Sequence, residues 1–275
     1  MNIKFLTLLI IFVISISFFD AQNYRIIYKL SYKTDSTSNK MYQKNMILDM
    51  NENIESFYSQ KMYQSDSLYE ANVKNGKENS GRLLDYDFSI KKDIDNKELY
   101  KYYRLSFGYI FKVKEELTKS KWEISNTTKK ISGFNCQKAV TNYKGRKWEA
   151  WFTSDIPLSK GPYIFDGLPG LIVLISDIKN NFIFELTSIK NQNSSLIFYE
   201  GNAILVNPKQ LKKLYIDYYN DPFKELKISD TKVKIENSSG GDSDPNFNII
   251  TKKRRRELKQ YNNPIDLSDI VDYPQ

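Results

Sequence analysis

The sequence contains no histidine and only one cysteine, Cys136, among its 275 residues. The absence of histidine excludes Ser-His-Asp triads, Cys-His dyads, histidine-ligated zinc or iron, and imidazole acid-base catalysis. A single cysteine excludes an intramolecular disulfide, so the core alone has to stabilise the fold. The mechanisms left open to an enzyme use carboxylate pairs, Ser-Lys dyads, or oxygen-ligated calcium or magnesium.

Long apolar runs are also scarce. The longest, residues 5–19, follows Lys4 and would span about 22 Å as a helix, less than the ~30 Å of a bilayer core. Together with the small residue Ala21, it predicts a signal peptide at residues 1–21. The next apolar run, residues 168–175, is short and contains proline and glycine. We therefore expect an exported protein that is periplasmic, outer-membrane associated or secreted, and not an integral membrane protein after signal cleavage.

Alternating apolar and polar residues predict a mostly β or α+β fold after residue 22. Short strand patterns recur between polar turns, and the clearest hairpin joins residues 171–177 to residues 182–189. We expect a twisted antiparallel sheet or half-barrel with one or two helices near the C terminus. The chain is predicted to be a single domain over residues 22–275, with a flexible segment at about residues 237–245.

Helical patterns are few. Residues 60–80 are interpreted as a loop or a short helix, whereas Asn207 followed by Pro208 predicts a true helix start. A second helix is predicted around the basic run at residues 252–256, which supplies much of the net charge of +8. This run is either a solvated helix face or a patch for lipopolysaccharide or lipid headgroups. Nucleic acid is not expected as a partner of an exported protein.

The middle of the chain carries a series of motifs in a recognisable order. A strand pattern at residues 148–153 is followed by several turn residues and then by the hexapeptide Gly167, Leu168, Pro169, Gly170, Leu171, Ile172. This order resembles the GLPGLI family of exported proteins from Gram-negative bacteria, as do residues 133–139 and 263–267. The resemblance covers about residues 130–190 and 260–267. It implies no biochemical activity, because that family has no established role.

The hexapeptide can be interpreted in two ways. Pro169 and Gly170 suit positions i+1 and i+2 of a type II turn, so the segment before them would be held against one face of the sheet. Alternatively, residues 155–170 form the rim of a ligand pocket. Its predicted lining is Trp151, Tyr163, Phe165 and Asp166.

Other candidate residues have simpler explanations. Asp155, Asp166 and Asp177 could form a carboxylate pair or a calcium site, but their spacing matches no metal loop. We therefore predict no metal and no cofactor. Cys136 is interpreted as a small core residue.

We interpret the chain as a non-enzymatic cell-envelope protein, a binding or carrier module for an apolar or amphipathic ligand. Its expected partner is an envelope lipid, a peptide or an outer-membrane protein. One alternative is a histidine-free hydrolase that uses Asp155 or Asp166 as a general base. Another is a purely structural envelope component, in which the aromatic residues at 163–168 would be fully buried.

Overall fold

The computed structural model describes residues 23–77, 85, 87–106, 109–191, 198–228, 235–236 and 242–275. The predicted signal peptide at residues 1–21 lies outside the described residues, as do residues 237–241 of the predicted flexible segment. Across the described ranges, no helix is both long and apolar enough to cross a membrane.

Strands are the main secondary structure of the described chain, which confirms the predicted mostly β fold. The strand bounds are β1 Tyr24–Tyr32, β2 Tyr42–Met50, β3 Ile54–Ser59, β4 Ile90–Asp93, β5 Glu98–Ser106, β6 Tyr109–Glu116, β7 Glu123–Ile131, β8 Phe134–Tyr143, β9 Arg146–Thr153, β10 Leu171–Asp177, β11 Phe182–Asn191, β12 Ile204–Leu205, β13 Ile235–Glu236 and β14 Asp242–Ser243. In this part of the chain, twelve strands form one sheet and β13 pairs with β14.

The large sheet consists of two meanders joined by the first strand. Its order is β12-β6-β5-β4-β3-β2-β1-β11-β10-β9-β8-β7. Strand β1 pairs antiparallel with β2 on one side and with β11 on the other. The strand pairs are antiparallel except for the short β12, which runs parallel to β6. The two halves of the sequence therefore share one continuous hydrogen-bonded sheet.

The sheet is strongly curved, and its concave face holds the main core. Phe57 on β3 contacts Phe184 on β11 with ring centroids 6.0 Å apart. These strands are three positions apart in the sheet, roughly 14 Å if it were flat. Residues 154–170, between β9 and β10, fill this concavity, where Tyr163 packs on Phe57 and Phe165 lies 4.7 Å from Trp148. We call this segment the excursion.

Helices cover both faces of the sheet. Their bounds are α1 Gln60–Lys74, α2 Pro208–Asn220, α3 Lys224–Ile228 and α4 Phe247–Gln260. Helix α1 is longer than the predicted loop or short helix, and its Met62 packs on Tyr58 on the convex face. Helix α2 begins at the predicted Asn207 cap and buries Leu211 against β5 and β6. Helix α4 follows and packs beside α2.

Two strand predictions were wrong because paired charges hide the strand pattern. The sequence predicts a strand at residues 85–90, but the strand formed is β4, where Lys92 is buried between carboxylates. The sequence also predicts a strand at residues 99–109, which ends at the first residue of β6, because lysines interrupt the apolar alternation beyond it. Lys112 pairs with Glu200, and Lys114 pairs with Glu98 on the neighbouring strand. Neutralised in this way, lysines fit into a sheet.

Candidate functional site

Trp151 lies on the opposite face of the sheet from the other three residues of the predicted ligand pocket. On β9, Trp148 and Phe152 face the main concave core, and Trp151 points the other way. There it packs with Cys136, and Lys129 Nζ lies 4.0 Å from the centre of its ring. The structure therefore does not bring Trp151 together with Tyr163, whereas Cys136 is the small buried residue that its sequence context indicates.

The other three predicted pocket residues share the concave face, but their environments differ. Phe165 is fully buried in the core. Asp166 accepts a hydrogen bond from Lys92 Nζ at 3.0 Å, and the same ammonium lies 3.2 Å from Glu55 Oε2. The neighbouring carboxylates raise the pKa of Lys92 although burial alone would lower it. Asp166 is thus tied into an ion-pair network, and of the four only Tyr163 reaches the cavity described below.

The hexapeptide forms a tighter turn than the predicted type II turn, which was wrong. Gly170 N donates to Leu168 O at 2.8 Å, which closes a three-residue turn around Pro169. Gly170 has φ +151°, and a Cβ built on it would lie 2.1 Å from the carbonyl oxygen of Thr153. Gly170 is therefore required because the backbone of β9 passes directly against it.

The remaining aspartates predicted as candidates are separate from one another. Asp155 is exposed and accepts a long hydrogen bond of 3.4 Å from Asn135 N. Asp177 is buried, where Oδ1 accepts from Phe182 N at 2.8 Å and Oδ2 lies 3.4 Å from Arg146. Among the residues that the structure describes, no three His, Cys, Asp or Glu side chains are grouped so that they could hold a metal ion.

A cavity of about 350 Å³ lies where the concave face meets the C-terminal part of the chain. Its walls come from the end of β1, from β5, from the excursion, and from α2, α4 and the segment after α4. Aromatic side chains dominate the lining, among them Tyr32, Phe88, Tyr103, Tyr163, Tyr215 and Tyr273. Charged side chains also line the cavity, among them Lys101, Arg254, Glu257 and Asp269. An aromatic pocket with a few polar groups is typical of a small-ligand site.

A buried charged cluster lies beside this cavity. Lys101 Nζ contacts the carboxylate of Asp266, lies 3.0 Å from Glu115 Oε1, and lies 3.2 Å from the hydroxyl of Tyr143. Burial would lower the pKa of Lys101, but the carboxylates outweigh it and raise that pKa, so the ammonium stays charged. Burial raises the pKa of Asp266. One ammonium faces several carboxylates here, so it cannot hold all of them ionised equally well.

Asp269 is the carboxylate near this cluster that lines the cavity described above. It accepts a hydrogen bond from the hydroxyl of Tyr103 at 3.0 Å. Burial raises its pKa, although Lys101 and Tyr103 act in the opposite direction. A second cavity of about 300 Å³ lies on its other side, and Asp269, Tyr103 and Tyr215 line both. A carboxyl group with a raised pKa and with space on both sides can serve as a general acid.

The segment after α4 is fixed by an arginine from a hairpin. Arg146 donates to the carbonyl oxygens of Ile265 at 3.0 Å and Pro264 at 2.7 Å, and to Asn263 Oδ1 at 2.5 Å. Asn263 in turn donates to Lys33 O at 2.7 Å. These bonds position Asp266 and, three residues later, Asp269. Sequence reasoning missed both carboxylates, although they lie in or next to the motif at residues 263–267.

Part of this chain is similar to known proteins. A family model described as "N-glycanase peptide, N-terminal domain" matches residues 88–221, just under half of the chain. Two solved structures of PNGF-II, in the P21 and C2 space groups, are 23% and 24% identical to it, each with a TM-score of 0.48. They cover 71% of this chain, which spans only 33% of theirs. No curated protein matches.

The family match corrects the interpretation of the chain as a non-enzymatic binding or carrier module. That interpretation was wrong, because an N-glycanase is a hydrolase. The alternative of a histidine-free hydrolase that uses aspartate carboxylates agrees better with the match. The comparisons do not show the GLPGLI family, although a family of exported bacterial proteins is compatible with them.

Proposed function

We propose that this chain is a hydrolase domain of the N-glycanase type. We further propose that the cavity of about 350 Å³, here called the tyrosine-lined cavity, binds the glycan end of a glycoprotein or glycopeptide. The observation that carries the proposal is the family match over residues 88–221. The matched range supplies Lys101, Tyr103, Tyr163 and Tyr215 to the cavity lining. Asp269 lies outside that range, so its role rests on geometry alone.

The lining of the cavity suits a carbohydrate. Tyrosine presents an apolar ring and a polar hydroxyl, and such rings are used where one side of a ligand is apolar and the other polar. A sugar ring has this character, with C–H groups on its faces and hydroxyls at its edge. Charged side chains of the lining, such as Arg254, Glu257 and Asp269, would then bind the hydroxyls.

The proposed reaction is hydrolysis of the amide that joins a glycan to asparagine. Water adds to the amide carbonyl carbon, the carbon–nitrogen bond breaks, and the nitrogen leaves with the sugar. The carboxyl group of Asp269 gives its proton to the leaving nitrogen and recovers one from the attacking water. The raised pKa of Asp269 keeps that proton available, and Lys101 offers positive charge to the oxygen that becomes negative.

The experiment that tests this proposal is incubation of the purified chain with a glycopeptide bearing one N-linked glycan. We expect free glycan and a peptide in which asparagine has become aspartate, both identified by mass spectrometry. A deglycosylated peptide that keeps asparagine would indicate cleavage of another bond. No reaction with glycopeptide or denatured glycoprotein would contradict the proposal.

Replacing the proposed acid should remove activity and leave the fold intact. We expect Asp269→Asn to lower the rate of glycan release by about 100-fold or more, because general acid catalysis contributes at least that much. The amide can still accept the Tyr103 hydrogen bond, so the midpoint of thermal unfolding should barely change. A rate loss in Asp155→Asn or Asp166→Asn but not in Asp269→Asn would instead place the active carboxylate in or beside the excursion.

The pH dependence of the rate gives an independent check. The acid is active when protonated, and the pKa of Asp269 is raised, so activity should persist above the usual range of an aspartate. It should then fall as the pH rises through the raised pKa. Rates measured between pH 3 and pH 9 should show this decline in the unchanged protein, and Asp269→Asn should lack it.

Export and the finer family assignment are also proposals. The apolar run at residues 5–19 supports cleavage after Ala21, and the hexapeptide at residues 167–172 supports a relationship to GLPGLI proteins. The mass of the mature protein from its native cells checks the cleavage: a chain that starts at Gln22 is expected, and one that retains residues 1–21 would contradict it.

A further inference from the structure

Two opposite faces of helix α4 line two different spaces in the molecule. Arg254, Glu257 and Tyr261, at spacings of three and four residues, line the tyrosine-lined cavity. On the opposite face, four cationic side chains line an open groove of about 640 Å³, here called the basic groove: Lys252, Arg255, Arg256 and Lys259. Residues three and four apart lie on the same side of a helix, so the basic run is divided between the two spaces. It is not a uniformly solvated face.

The basic groove carries a large excess of positive charge. It lies between α4, the end of α2 and α3, and its lining carries five cationic side chains: Lys227, Lys252, Arg255, Arg256 and Lys259. One aspartate, Asp221, also lines it, and Lys227 is already paired with it at 2.5 Å. The positive charge therefore exceeds the negative charge by several units within a concave surface, which concentrates the electrostatic potential.

Some of these cations already have a structural role. Arg255 donates from Nε to Tyr219 O at 2.9 Å and also contacts Asn220 O, so it binds carbonyl groups at the C-terminal end of α2. Lys259 lies 5.5 Å from the centre of the Tyr219 ring. Lys252 and Arg256 are exposed and form no ion pair with the other residues that the structure describes. Their charge is thus available to a ligand.

We propose that this groove is an anion site for a compact, multivalent phosphate group, separate from the glycan cavity and independent of hydrolysis. Arginine binds phosphate through two parallel N–H groups, and lysine adds point charges around it. In the groove, Arg256 supplies the two parallel N–H groups, and Lys252 supplies a nearby ammonium. Arg255 and Lys259 form the wall behind them. The concave shape favours a compact ligand over a flat surface.

Calorimetric titration with inorganic tripolyphosphate tests this site. We expect saturable binding to the full chain, weakened about tenfold or more in Lys252→Glu/Arg256→Glu, because both direct contacts become repulsive. The matched control is Lys209→Glu/Lys213→Glu, which changes the net charge equally on an exposed face of α2 away from the groove. The control should bind tripolyphosphate with an affinity close to that of the unchanged protein.

The two sources of a phosphate can be separated in the same series. Co-sedimentation with vesicles of phosphatidylcholine, with or without phosphatidic acid, whose headgroup is a multivalent phosphate monoester, shows whether a lipid headgroup is bound. Binding to the anionic vesicles alone, lost in Lys252→Glu/Arg256→Glu, would place the phosphate on a lipid. If both double variants bound the probes equally weakly, the attraction would be nonspecific and the proposal would be overturned. The proposal would also be overturned if the unchanged protein bound neither tripolyphosphate nor the anionic vesicles. Circular dichroism confirms that both variants are folded.

Discussion

Gly170→Ala should lower the free energy of unfolding by about 3 kcal/mol or more. The new Cβ would lie 2.1 Å from the oxygen and 2.7 Å from the carbon of the Thr153 carbonyl, and 3.0 Å from Ser154 N. All three are backbone atoms at the end of β9, so no side chain can move to relieve the clash. The excursion carries Tyr163 and Phe165, and its displacement would disturb both the core and the cavity. Urea denaturation followed by tryptophan fluorescence measures the loss.

Gly167→Ala is the matched control for this prediction. Gly167 also has a positive φ, +90°, but a Cβ there meets nothing within 4 Å. Only the conformational cost remains, about 1–2 kcal/mol. The difference between the two variants therefore isolates the close approach of the backbone. Equal losses would show that the contact between Gly170 and Thr153 contributes little to stability.

Lys101→Met should lower the free energy of unfolding by about 3–5 kcal/mol at neutral pH. The ammonium is buried with Asp266, which is not exposed at all, and with Glu115. Methionine fills a similar volume but leaves the buried Asp266 without its cation, and an unpaired buried charge is costly. Guanidinium denaturation of both proteins measures the difference.

An exposed ion pair provides the control for Lys101→Met. Lys29 pairs with Glu185 across β1 and β11, and both side chains are more than 40% exposed. Lys29→Met should therefore cost at most about 1 kcal/mol, since water screens such pairs. The double variant Lys101→Met/Asp266→Leu should recover much of the loss, because it removes both partners. If Lys101→Met were as mild as Lys29→Met, the cluster would not be held by this ammonium.

The sequence predicts the sheet better than it predicts the site, for physical reasons. Alternation of apolar and polar residues is a local signal, and it identifies strands such as β1 directly. The same signal fails on β6 and β4, where lysines occupy strand positions that only a distant carboxylate can neutralise. Helix α1 was underestimated because it begins directly after β3, with Ser59 as both the last strand residue and the helix cap.

The site depends on contacts that no local pattern encodes. Asp269 and Lys101 lie far apart in the sequence, and they line the same cavity because Arg146 fixes residues 263–265 over the end of the sheet. The aromatic residues near the hexapeptide were prominent in the sequence, yet Phe165 forms core and Trp151 faces away. The side of a sheet that a residue faces can be predicted from alternation, but the segment that covers that side cannot.

The central position of β1 has a consequence for how the molecule is assembled. Among the strands that the structure describes, β1 is synthesised first, and one of its two neighbours, β11, follows about 150 residues later, as the pairing of Tyr32 with Phe182 shows. Until β11 has been made, one edge of β1 and the apolar residues of the concave face have no partner. Closing such a long loop is slow, and an open strand edge invites pairing with other chains. The interval between the synthesis of β1 and that of β11 is therefore when this protein is most exposed to aggregation.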